Sequence, residues 1–477
     1  MKNILLIKPN STGDKKDNYI VFPIGIGYIA AVLKQHSYNV SVIDLTIEDV
    51  DYDELKQRIL DLKPDIIGLT AISHSYRQVK SLALYLRSFL SCPIILGGHL
   101  STYSYKIVLE KTAVDICVLG EGERTIVDLL ANLDNLRAVN GIAFKENGAV
   151  VLNQPRALIQ NLDEIPIPAY ELFNIDAYTP LTDVYLPKQK GLFRKMSLEA
   201  GRGCPFSCHF CSRTFKTVRK RSVQSLLKEM VFLNETYGID TFWFQDELLF
   251  STKRFMSEFC EEVKKAGFFW YGNARIDSVD EEVILKAKQS NCLEIAYGVE
   301  SGSKTILKNM NKKISPEQIE RILTATIKAG LHMDMGLILG YPGETADTIQ
   351  ETVDMFKRIG YPGLKFRYIT PYPGSQLYDI SLAKGLIKDE EEYMLSLSDG
   401  SGPYRLRINF TDFPDERMRE IVKETRDRVF RNYCIYLLKH PSKLITRVCK
   451  KSVMNPLFVI YNRMKRSTNY DKVGKKK

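Results

Sequence analysis

The stretch Glu199-Ala-Gly-Arg-Gly-Cys204-Pro-Phe-Ser-Cys208-His-Phe-Cys211 opens on the end of an apolar run, Met196–Ala200, that reads as a buried strand. The string is therefore a loop at a strand's C-terminal end. Five further apolar runs follow it: Thr241–Phe244, Phe269–Asn273, Leu293–Gly298, Met333–Leu339 and Leu364–Ile369. Between them, helical periodicity predicts helices near Gln224–Tyr237, Lys253–Ala266, Asp280–Gln289, Pro316–Ala329 and Thr345–Ile359. Six strand-helix units imply a partial (β/α)6 TIM-type barrel over residues 191–405, with its site at the strand C-terminal ends. Upstream, the runs Asn3–Ile7, Val40–Ile43, Asp65–Leu69, Pro93–Leu96 and Asp115–Leu119 alternate with amphipathic stretches. That pattern predicts a Rossmann-like (flavodoxin-like) parallel sheet over residues 1–135. Residues 136–190 hold a hairpin around Asn147-Gly148 and a Pro-punctuated connector that includes Pro180 and Pro187. A mainly helical, basic segment closes the chain over 406–477. The fold class is α/β.

Nine cysteines are present, and three of them fall between positions 204 and 211. Thiolates are soft ligands for zinc or iron–sulfur centres. Structural zinc takes four ligands, usually as two spaced pairs, and no second pair follows. A fully protein-ligated 4Fe-4S cluster also takes four cysteines. Three leave one iron open, which suits a cluster that must bind a small molecule.

The Cys-x3-Cys-x2-Cys spacing closely resembles the radical SAM superfamily. By that resemblance Cys204, Cys208 and Cys211 hold a 4Fe-4S cluster whose open iron binds S-adenosylmethionine (SAM). One electron then cleaves SAM to methionine and a 5′-deoxyadenosyl radical. The resemblance also implies SAM contacts from Phe210, from the acidic pair Asp246-Glu247, from Arg275, from Glu300 and Ser301 at the ribose, and from Ile338 and Gly340 at adenine. Plainer readings stand beside these: a helix N-cap for Asp246-Glu247, a surface ion pair for Arg275, a cap for Glu344, and a rigid turn for Tyr372, which is otherwise a substrate contact.

The loops of the first sheet carry Pro9 and Asn10, then Thr70, Ser73 and His74, then Gly97, Gly98 and His99, then Gly120, Glu121 and Gly122, with Gly25 on the first helix. No Gly-x-Gly-x-x-Gly precedes a helix, which argues against a dinucleotide. With the domain order, these loops resemble the cobalamin-binding domain of the cobalamin-dependent radical SAM subfamily, and the listed residues would be the cobalamin contacts. The Asp-x-His-x-x-Gly of other cobalamin proteins is absent. The place reads Lys8-Pro9-Asn10-Ser11-Thr12-Gly13, so no histidine is expected on cobalt. An empty scaffold domain is the alternative.

The formal charge is +10, but residues 431–477 hold thirteen Lys/Arg against one acid, Asp471. The body is near neutral, and nucleic-acid binding is not expected of it. The tail's apolar groups among basic residues fit either a helix packed on the barrel or peripheral contact with an anionic membrane. With no run of 18 apolar residues and no signal-peptide pattern, a cytoplasmic enzyme is expected. The resemblance implies a methyltransferase acting on an unactivated carbon of a small-molecule, lipid or natural-product substrate, fed electrons by an external flavodoxin- or ferredoxin-type reductant. The alternatives are a cyclase or ring-rearranging enzyme with the same cofactors, and a non-catalytic cobalamin-binding regulator. A methylthiotransferase would need a second three-cysteine cluster, which Cys92 and Cys117 cannot supply.

Overall fold

The computed structural model describes residues 2–10, 20–179, 193–361 and 364–439. The basic tail from residue 440 on, with the connector prolines Pro180 and Pro187, lies outside them. Strands β1 (Asn3–Lys8), β2 (Asn39–Asp44), β3 (Ile66–Thr70), β4 (Ile94–Gly97) and β5 (Ile116–Val118) form a parallel sheet in the order β2-β1-β3-β4-β5. Helices α1 (Ile24–Gln35), α2 (Tyr52–Leu62), α3 (Tyr76–Arg87), α4 (His99–Lys111) and α5 (Glu123–Ala131) cover both faces. The central strands are apolar along their middles because alternate residues enter two different cores. Leu5, Ile7, Ile67 and Leu69 pack on one side; Ile4, Leu6, Ile66 and Ile95 pack on the other.

The hairpin of β6 (Ile142–Glu146) and β7 (Ala149–Leu152) extends this sheet, with β6 antiparallel to β5. Its turn residues Asn147 and Gly148 both have left-handed φ, 50° and 80°, as a two-residue hairpin requires. Helix α4 starts directly at His99. Its kink at Ser104 (φ −130°) interrupts the periodicity that marks a helix in sequence.

After α6 (Ile175–Tyr178) come β8 (Lys195–Leu198), the short ribbon β9 (Gly201–Arg202) and β10 (Arg219–Lys220), and then the repeating units. These are α7 (Val223–Tyr237), β11 (Thr241–Phe244), α8 (Lys253–Ala266), β12 (Phe269–Arg275), α9 (Glu281–Gln289), β13 (Cys292–Glu300), α10 (Lys304–Asn309), α11 (Pro316–Lys328), β14 (His332–Leu339), α12 (Ala346–Ile359) and β15 (Leu364–Tyr368). The six long strands pair in parallel as β15-β14-β13-β12-β11-β8, a half-barrel. Ser222, Thr252, Asp280, Ser315 and Thr345 cap α7, α8, α9, α11 and α12, each accepting from a first-turn amide.

Helices α13 (Gln376–Ala383) and α14 (Glu390–Leu397) leave the half-barrel and pack on the first domain. Tyr378, Met394, Leu397 and Ile408 join the core that holds Leu69 and Tyr76. Helix α15 (Asp415–Lys439) returns to α12, burying Met418, Ile421 and Val429. No described helix is long and apolar enough to cross a membrane.

Candidate functional site

The cysteine loop runs between β9 and β10, and its glycines make it possible. Gly203 has φ +95°, and a Cβ there would stand 2.2 Å from the Thr217 carbonyl oxygen, so no larger residue fits. The loop is held from outside by its own backbone. Cys204 N donates to Phe215 O (3.0 Å), His209 N to Met310 O (3.0 Å) and Leu377 N to His209 O (2.9 Å). Arg213 donates to the carbonyls of Cys204 and Phe206. The thiols are thus left for a ligand, and none of the described cysteines is in a disulfide. Structural zinc takes four protein ligands, whereas three thiolates hold three irons of a 4Fe-4S cluster and leave the fourth open, so the three-cysteine loop fits the cluster better than zinc.

Around the loop stand residues from successive strand ends. Arg275 lies flat over the Phe206 ring, 3.6 Å from its centroid, and its Nη1 is 3.5 Å from Cys208 Sγ. Its remaining donors go to Asp277 and to Lys312 O (2.6 Å). Glu300 sits at a bulge with φ +68° and pairs with Lys312 Nζ at 2.9 Å. Gly298 leaves room for that pair: a Cβ there would stand 2.8 Å from Nζ. Asp246 is buried and occupied, accepting from Ala200 N (2.9 Å) and from Lys220 Nζ (2.8 Å). Of the acidic pair, Glu247 is the exposed member. Although the residue is exposed overall, the loop packed around its carboxyl desolvates that group and raises its pKa, opposed by the amides of Gly203 and Thr214. Ser301 is buried and bonded to Ser303 N and Thr352 Oγ1, so it braces the strand end. Phe210 and Ile338 pack together beside Tyr341 and Ile369. Gly340 N donates to Glu344 Oε2.

Glu344 is 4% exposed, and its Oε1 has no partner. Burial lifts its pKa from 4.5 to about 7, against the amides of Gly340 and Tyr341. A carboxyl that binds its proton more tightly when folded stabilises the fold fully below pH 4.5. That contribution is lost as pH rises through about 7. The unfolding free energy of the parent should therefore fall relative to Glu344→Gln by roughly 3 kcal/mol between pH 4 and pH 8. Parallel urea titrations at both pH values check this, and equal pH slopes would refute it.

The predicted cobalamin residues divide into two groups. Gly25 faces open space, and a Cβ at Gly97 or Gly120 would meet nothing nearer than 3.9 Å. No packing demand explains glycine at Gly25 or Gly97, so these two positions suit a large flat ligand lying close to the backbone, whereas the left-handed φ of Gly120 (+71°) itself calls for glycine. Gly98 and Gly122 are explained by the fold, since a Cβ would meet Ala71 O at 2.8 Å and Ile29 Cδ1 at 2.9 Å. Thr70 ends β3 against Gly98, with Pro9 and Asn10 just past β1 on the same edge. Glu121 is committed to the domain junction. It takes Arg202 (2.9 Å) and Arg219 (2.8 Å) on one oxygen and Ile159 N on the other.

The two sets of strand ends meet. His99 bonds Ser73 Oγ (3.4 Å) through one ring nitrogen and Ser212 Oγ (3.0 Å), next to Cys211, through the other. His74 Nε2 bonds Tyr372 Oη at 3.0 Å, and Tyr103 donates to Arg213 O. Burial, then the charges of Arg407 and His99, lowers the His74 pKa to about 4, and burial lowers that of His99. Both rings are therefore neutral at neutral pH. Lys312, Arg202, Tyr103, Ser212 and Arg213 were not legible as site residues. Only the Gly-Arg-Gly of Arg202 carried a signal, a charge at a strand end.

Residues 15–130 match the B12 binding domain and residues 198–356 the Radical SAM superfamily. The chain is 31% identical over 399 residues to the uncharacterized methyltransferase PH0819 of Pyrococcus horikoshii, covering 81% of this chain and 84% of that one. It is 29% identical over 387 residues to the anaerobic magnesium-protoporphyrin IX monomethyl ester cyclase of Rubrivivax gelatinosus, covering 78% and 68%. Its fold is similar to that of the radical SAM methyltransferase TsrM from Kitasatospora setae, solved with cobalamin and a 4Fe-4S cluster. There the TM-score is 0.66 and the identity 16%, over 81% of this chain and 76% of that one. Domain order, cysteine loop and relatives agree: the chain belongs to the cobalamin-dependent branch of the radical SAM superfamily.

Proposed function

We propose that this enzyme is a methyltransferase that places a methyl group on an unactivated carbon of a small molecule. The observation that carries the reading is the junction of the two sheets. The first domain's loops, through His99 and His74, bond the cysteine loop at Ser212 and the barrel-mouth loop at Tyr372. In this family the 4Fe-4S cluster supplies the electron that cleaves SAM, and cobalamin supplies a methyl carrier. The protein's part is placement. Cys204, Cys208 and Cys211 would hold the cluster, and Gly25 and Gly97 would admit the corrin. Glu247 and Glu300 would face SAM, Glu300 accepting from ribose hydroxyls as a carboxylate can. Neutral His74 and His99 hold the two edges together and add no charge there. An external flavodoxin- or ferredoxin-type protein would deliver the electrons.

Anaerobic reconstitution with iron, sulfide and cobalamin, followed by SAM product analysis, tests this. Methyl transfer yields S-adenosylhomocysteine together with 5′-deoxyadenosine. The nucleoside without stoichiometric S-adenosylhomocysteine would favour the second reading, a cyclase, which the Rubrivivax relative supports.

A further inference from the structure

Closed barrels of parallel strands fill their interior with branched apolar side chains. This half-barrel does not. Alternation along β13 to β15 sends Ile295, Met333 and Phe366 outward into the helix-covered core and turns charged residues inward. Most of these inward charges are paired: Glu294 with His332, Asp334 with Lys365, and Glu300 with Lys312.

Arg367 is different. It lies on β15 opposite Ile338, half-buried, and among the described residues it makes no hydrogen bond or ion pair. Its Nε is shielded from solvent with no partner. The guanidinium lies along β14 at Gly336, where an added Cβ would stand 3.2 Å from Nη1, so the glycine leaves it room. Burial raises the pKa of the Tyr372 hydroxyl against the opposing charges of Arg407 and Arg367. Arg367 therefore lies within electrostatic reach of Tyr372, on the loop where the two domains meet. The acids on the same face, Asp334 and Glu300, are already held by Lys365 and Lys312.

An arginine keeps its charge at any pH the protein meets, and leaving it half-buried without a counter-ion costs folding energy. Its fork of donors matches an oxyanion, which it can hold through two parallel bonds. From this geometry we infer that Arg367 anchors an anionic substrate, a carboxylate or phosphoryl group, on the inner wall of the half-barrel. The inference rests on the proposed methyltransferase reading for the word substrate, but its test needs no turnover.

The full chain, reconstituted, is titrated with inorganic phosphate and with acetate, followed by phosphorus NMR line broadening and by protection of the Arg367 peptide from phenylglyoxal. In parallel, SAM binding is measured by equilibrium dialysis. Saturable binding of one anion is expected. Arg367→Gln should weaken it at least about tenfold, Arg367→Lys should weaken it less because the charge stays while the two-bond fork is lost, and SAM affinity should stay within about twofold. Because the charge is unpaired, the urea midpoint of Arg367→Met should equal or exceed that of the parent. A lower midpoint would assign Arg367 a structural role and overturn the inference. Loss of SAM affinity with anion binding unmoved would overturn it too, placing Arg367 on the SAM carboxylate. Absence of saturable anion binding would do the same. Failure of methyl transfer alone would strike the proposed function and leave the anion site standing.

Discussion

Replacing any one of Cys204, Cys208 and Cys211 by alanine should abolish the iron–sulfur absorption and reduce SAM cleavage to background. Three thiolates are the fewest that can hold three irons of a cubane and leave the fourth free. Loss of one exposes a second iron to solvent. The effect should exceed the roughly 10–100-fold that loss of a ligand's hydrogen-bond partner costs. Cys260→Ala provides the contrast. Cys260 is 3% exposed in the helix-side core, and burial pushes its thiol pKa up to about 11. Its loss should cost packing and leave iron content unchanged. Iron and sulfide assays with visible spectra decide the matter. Equal iron in Cys208→Ala and the parent would refute the assignment.

The second large effect concerns the junction between domains. Arg202 and Arg219 are both under 10% exposed, and both turn to Glu121. Arg202 also binds Glu123 and Glu199, so it survives loss of one partner. Among the described residues, Arg219 keeps only the Ile159 carbonyl and the face of Phe215 and has no second carboxylate. Glu121→Ala therefore strands a buried guanidinium, at a cost of about 3–5 kcal/mol. Glu121→Gln retains an acceptor for Ile159 N or an arginine and should cost less. Denaturant unfolding measures the difference. Limited proteolysis should find new cleavage between the two domains in Glu121→Ala, since the clamp joins the first domain's α5 end to the β9–β10 ribbon. An unchanged midpoint would sink the clamp.

Both predictions show how legibility varied with range. The cysteine loop was readable because its chemistry is local. Ligand spacing, the preceding strand and the glycines all lie within sixteen consecutive residues, Met196 to Cys211. The two alternating strand-helix series were readable for the same reason, since period 2 and period 3.6 are properties of short windows. Glu121 was readable only as a member of a glycine-rich loop. Its arginine partners lie 81 and 98 residues away, beyond any window.

Sequence by itself determined the two-sheet architecture, the position of the three-thiolate loop at a strand end, and the absence of the usual cobalt-ligating histidine motif. Each follows from backbone periodicity or from ligand chemistry within a few residues. Only the tertiary structure decided which polar groups are spent on one another. It committed Asp246 to Lys220, Ser301 to Thr352 and Glu121 to the clamp, and left Arg367 Nε without a partner among the described residues. It also carried Tyr378, Met394 and Leu397 out of the half-barrel and into the core of the first domain. Pairing and burial depend on distances between residues far apart in the chain, and those distances are set by how the two sheets dock.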